Sequence, residues 1–96
     1  MVDIIVSENC PHCEEQKSIM KDSFWNDEYR IISIDSAEFQ TLQEKPLVDV
    51  VPFIIIRDEN GNVKQANKGR LEAIKIRRIM NSEVVAFNLK TARQAN

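Results

Sequence analysis

The sequence predicts an α/β domain of element order β-α-β-α-β-β-α, with a four-stranded mixed sheet flanked by helices. Three observations predict it. Short β-branched apolar runs, VDIIV at 2–6 and FIII at 53–56, have the composition of buried strands. Segments between and after them place apolar residues three and four apart, as helices do. An Asn-Gly pair at 60–61 divides one apolar stretch into two, as a hairpin requires. The chain has 96 residues, enough for one hydrophobic core, so 1–96 is expected to be a single domain.

Each element has its own warrant. VDIIV reads as a first buried strand. Pro11 suits the opening turn of a helix, where its missing N–H costs nothing. Helix formers then continue to about Asp22. Cys13, Met20 and Phe24 fall on one helical face, which is expected to be buried, while Glu14, Glu15, Lys21 and Asp22 face water. YRIISID (29–35) reads as a second strand, largely buried. A helix between the first two strands implies a parallel, right-handed crossover. Residues 37–45 read as a short helix with Phe39 and Leu42 inward, ended by Pro46. FIII suits a central strand covered on both faces, and Asn60-Gly61 is expected to form a type I′ hairpin turn, which needs positive φ. Gly69 breaks the chain, and a last helix is expected from near Arg70. Ala73, Ile76, Met80, Val84 and Phe87 form one apolar stripe, either as one long helix or as two, with Asn81-Ser82 between them and the second over 83–94.

Composition narrows the function classes. At 43% hydrophobic and 29% charged, the chain is globular in character rather than disordered. A net charge of −2 offers no global field for a nucleic acid. The densest basic cluster, Lys75, Arg77 and Arg78, reads as a solvated helix face. No apolar run approaches the ~18 residues of a membrane span, and the start lacks the basic, apolar signature of an export signal. A cytoplasmic protein is expected, and there thiols are kept reduced.

Against that background the stretch SENCPHCEEQK, Ser7 to Lys17, stands out, because it holds both cysteines and the only histidine. Two cysteines placed at random in such a chain fall three apart in only about one case in fifty. A disulfide across so short a loop adds little stability. A zinc site needs four ligands, and His12 lies inside the loop, badly placed to join the cysteines. A purely structural role for both cysteines is a further alternative. The remaining reading follows from position. Cys10 falls where a strand hands over to a helix, so the helix N-terminus stabilises its thiolate. Cys13, one turn on, lies on the buried face within reach of Cys10. This is the arrangement of a nucleophile and a resolving thiol. His12 and Lys17 favour the thiolate, and Glu8, Glu14 and Glu15 oppose it. On balance Cys10 is expected to be a stronger acid than a free thiol.

These residues give the chain a resemblance to the thioredoxin superfamily, and most to its short members, the glutaredoxins. CPHC resembles the glutaredoxin Cys-Pro-Tyr-Cys with His12 for Tyr. Lys17 stands where glutaredoxins commonly have a lysine, and VPFII (51–55) resembles their Val-Pro-x-Ile-Phe. The resemblance covers nearly the whole chain and implies a thioredoxin-like fold. It implies that Cys10 and Cys13 are catalytic, with Pro11, His12 and Lys17 tuning them. It also implies that Pro52 is cis and faces Cys10, that the Val51 backbone pairs with substrate like an added strand, and that Gly69 belongs to the substrate-binding surface. No cofactor is implied beyond the cysteine pair itself. The implied partners are a disulfide-containing protein, such as a ribonucleotide reductase, and a reductase or glutathione as electron source. Glutaredoxins carry Gly-Gly and an acidic pair to bind glutathione. Here Gly69 is followed by Arg70 and Leu71, which counts against glutathione as the dedicated reductant. The Pro-His dipeptide is shared with periplasmic disulfide oxidases. The expected activity is therefore that of a small, monomeric dithiol–disulfide oxidoreductase. The alternatives are a redox-inert binding module on the same scaffold, or a more oxidising oxidase or isomerase.

Overall fold

The computed structural model describes residues 1–82. Seven elements follow the predicted order: β1 (Val2–Val6), α1 (Pro11–Ser23), β2 (Tyr29–Ser33), α2 (Ala37–Gln40), β3 (Phe53–Arg57), β4 (Val63–Lys68) and α3 (Ala73–Met80). The strands form one sheet of order β2-β1-β3-β4. β1 pairs parallel with β2, and β3 pairs antiparallel with both β1 and β4. This is a thioredoxin-like α/β arrangement.

Two apolar layers hold it together. On one face Val2, Ile4, Val6, Ile54 and Ile56 of the sheet meet Cys13, Met20 and Phe24, together with Leu71 and Ile76. On the other, Ile5, Ile32, Phe53 and Ile55 meet Phe39 of α2. Helices therefore cover both faces. β1 and β3 lie at the centre, which is why their sequences are apolar at successive positions rather than alternate ones. Among the described residues no helix is long and apolar enough to cross a membrane.

Several expectations change. The second strand stops at Ser33 and lies at the sheet edge. Only Ile32 is buried in it and Ile31 is exposed, because an edge strand is covered less than a central one. The helix expected over 37–45 closes at Gln40, with Ser36 as its cap. Pro46 does not end it. Instead Pro46 sits in the first turn of a separate 3₁₀ turn, Lys45–Leu47, where a missing N–H is tolerated. Leu42 is only partly buried against the second layer.

The hairpin turn is not type I′. Asp58 and Asn62 close a three-residue loop, and of that loop only Gly61 takes positive φ, at 85°. The Asp58 carboxylate accepts the amides of Asn60 and Asn62, supplying locally what a tighter turn would have supplied. α3 begins at Ala73 rather than near Arg70, after the irregular segment 69–72. Arg77 is more than a solvated charge: it stacks 4.4 Å from the Phe24 ring and bonds Glu28 at 2.6 Å, tying α3 to the end of α1. Asn81 caps α3 at its C-terminus. Val84, Phe87 and the helix expected over 83–94 lie outside the described residues.

Candidate active site

The site forms where β1 ends. Asn9 takes a left-handed conformation, φ 54°, which Asn tolerates better than most residues. It turns the chain so that Cys10 becomes the N-cap of α1, in extended backbone, with Pro11 in the first turn. A cap side chain normally offers an oxygen to the free helix N–H groups. Here sulfur takes that place: the Cys13 amide donates to Cys10 Sγ at 3.1 Å. Cys10 and Cys13 are joined by a disulfide, with Cα atoms 5.1 Å apart. Cys13 is fully buried in the layer beneath α1, and Cys10 is half-buried.

The third strand brings the second half of the site. The Val51–Pro52 peptide is cis and immediately precedes β3. Cys10 Sγ lies 4.0 Å from the Val51 carbonyl oxygen. A disulfide sulfur carries no proton, so this is a contact and not a hydrogen bond. Gly69, at φ 88°, donates its N–H to Pro52 O at 2.8 Å. Five residues singled out from sequence, Cys10, Cys13, Val51, Pro52 and Gly69, thus meet from three separate stretches of chain.

The other three take different places. Pro11 starts the helix. His12 projects outward, its side chain 72% exposed, with Nδ1 3.3 Å from Glu15 Oε1. Lys17 bonds Glu14 at 2.9 Å, so one carboxylate that opposes a Cys10 thiolate is paired along the helix with a cation that favours it. Glu15 also faces Arg70, at 3.5 Å, and Arg70 bonds Glu72 at 2.9 Å. Glu14, Glu15, Lys17, Arg70 and Glu72 are therefore paired among themselves. Among the described residues no cluster of three or more His, Cys, Asp or Glu side chains could hold a metal ion.

One buried polar residue beside the site was missed. Gln16 is fully buried, and its side-chain amide pairs both ways with the Leu71 backbone, accepting from N–H at 2.7 Å and donating to C=O at 3.0 Å. Its position was legible, because 13, 16, 20 and 24 share one helical face. A search for apolar residues on that face passes over a glutamine.

The fold and the cysteine pair together define a class: a small α/β protein of thioredoxin-like fold with a Cys-x-x-Cys disulfide at the head of its first helix. In comparisons with known proteins, no family model matches the chain and no curated protein matches it significantly.

Proposed function

We propose that the protein is a dithiol–disulfide oxidoreductase that reduces protein disulfides through Cys10 and Cys13. The observation that carries this reading is the asymmetry of the pair: a half-buried sulfur at a helix N-terminus beside Val51, and a fully buried partner one turn on. In the reduced protein the Cys13 amide and the helix end favour the Cys10 thiolate. That thiolate attacks one sulfur of the substrate disulfide. A mixed disulfide forms and the first substrate thiolate leaves. Cys13, as thiolate, then attacks Cys10 Sγ, releasing the second substrate thiolate and forming the Cys10–Cys13 bond. Two electrons pass to the substrate, and a thiol reductant must return two to the pair.

The substrate is a protein disulfide, with that of a ribonucleotide reductase a suitable case, docked along the Val51 backbone. With Arg70 and Leu71 where glutaredoxins carry an acidic pair, a reductase is favoured over glutathione as the electron source. The setting is the cytoplasm, and the acting form is the monomer. His12, two residues from Cys10 in sequence, favours its thiolate as a dipole or a charge, which makes the couple more oxidising.

The test is reduction of insulin by the dithiothreitol-charged protein, comparing wild type with Cys10→Ser. Loss of essentially all catalysed reduction is expected in the variant. Equal rates would refute the catalytic reading in favour of a redox-inert binding module.

A further inference from the structure

Gln16 is the one fully buried uncharged polar side chain among the described residues, and within its own helix its side chain makes only a 3.6 Å contact, from Nε2 to Met20 Sδ. A leucine or methionine there would extend the apolar face formed by Cys13, Met20 and Phe24. The glutamine instead satisfies the backbone of Leu71, 55 residues away. That backbone needs a partner, because it is buried in the irregular segment between β4 and α3. The same segment begins at Gly69, whose N–H holds Pro52 O.

These links close a ring around the disulfide. From Cys13 the path runs one turn along α1 to Gln16, across to Leu71, back to Gly69, across to Pro52, and through Val51 to Cys10. Every crossing but one is backbone to backbone or the sulfur contact; the exception is the amide of Gln16. A second bridge, Glu15 to Arg70 at 3.5 Å, runs parallel on the surface, but both side chains are substantially exposed and such pairs hold little.

We propose that Gln16 is a positioning residue for protein substrates: through Leu71 and Gly69 it fixes the distance between the Val51–Pro52 docking edge and Cys10. This rests on the reading of that edge as the substrate-docking strand. A disulfide must approach Cys10 Sγ in line with the bond that breaks, so a displaced edge presents a docked protein at the wrong angle. A small disulfide that does not use the edge is indifferent to it.

The experiment compares wild type with Gln16→Met, which keeps length and volume but leaves Leu71 unpaired. Insulin and bis(2-hydroxyethyl) disulfide are the two substrates. With insulin, kcat/KM is expected to fall about tenfold, mainly through KM, while the small disulfide changes by no more than about twofold. The reduction potential is expected to stay the same. Equal losses on both substrates, or no loss on either, overturn the proposal. A wild type that reduces neither substrate instead removes the oxidoreductase reading on which it stands.

If circular dichroism shows Gln16→Met unfolded, the same comparison is read on Gln16→Glu. That variant keeps the acceptor for the Leu71 N–H, and a smaller loss confined to insulin is expected. Wild-type amide exchange gives an independent reading. The Leu71 N–H is expected among the slow amides, and exchange as fast as the exposed hairpin loop overturns the clamp.

Discussion

At the end of the sheet where β1 runs into α1, a half-buried sulfur is met by one backbone N–H and the head of a helix. At the other end Asp3, fully buried in β1, is met by two guanidinium groups. Arg30 forks onto both carboxylate oxygens at 2.8 and 2.9 Å, and Arg57 adds a bond at 2.9 Å. Arg57 in turn reaches Glu44 at 2.7 Å. Burial pushes the Asp3 carboxyl up, but the Arg30 and Arg57 hydrogen bonds and charges together outweigh it, leaving it below its usual range. The far end thus has its charges spent on one another. The near end keeps the polarity of a helix terminus directed at a group that, in the proposed function, gains and loses a bond. A fully paired, fully buried thiolate would be stable and useless for exchange. A half-exposed carboxylate in place of Asp3 would not need two arginines.

Breaking the far end tests this contrast hardest. Asp3→Ala leaves Arg57, only 13% exposed, with Glu44 and the Gly61 carbonyl but without its buried carboxylate, whereas Arg30 is exposed enough to reach water. A loss of about 3 kcal/mol in urea unfolding at neutral pH is expected, the low end of the range for a broken buried pair. Reduction of a small disulfide by the folded variant should be unchanged. A loss under about 1 kcal/mol would put the cluster among ordinary surface pairs and erase the contrast.

Acid titration reads the same cluster more gently. The folded Asp3 carboxyl has a lower pKa than the unfolded one, so between the two values the unfolded state binds the extra proton. Its contribution to stability is complete above the unfolded value of about 3.9 and is lost as pH falls through the lower folded value. Urea midpoints of the wild type should therefore drop across that interval, and Asp3→Asn should flatten the drop.

The smallest effects come from a matched pair of glycines, one at each end. Gly61 and Gly69 have φ of 85° and 88°, and a Cβ added to either meets nothing within 4 Å. Alanine at each should cost the same, about 1–2 kcal/mol of backbone strain. Only Gly69→Ala, through its bond to Pro52, should also raise KM for a protein disulfide. Equal KM values would mean that Gly69 shapes the fold alone.

The cysteine pair was readable because its logic is local. A β-branched strand, a proline in the first turn and two thiols one turn apart all lie within residues 2–13. Val51-Pro52 was readable through its resemblance to a known segment. The edge position of β2 was not, because Ile31 looks the same whether or not something covers it. The hairpin turn was misjudged for a nearby reason: Asn-Gly allows positive φ at both positions, and the Asp58 carboxylate made one sufficient.

By itself, then, the sequence determined the order of the elements, the central strands, the buried face of α1 and the placing of both sulfurs at its head. Periodicity and backbone preference act over a few residues, and a single chain displays them. Only the tertiary structure decided what the polar groups inside would meet. Asp3 meets arginines 27 and 54 positions away, and Gln16 a backbone 55 positions away. A polar side chain on an apolar face carries no local mark of its distant partner. The free energy that keeps it there comes from a hydrogen bond that exists only once the sheet and helices have packed.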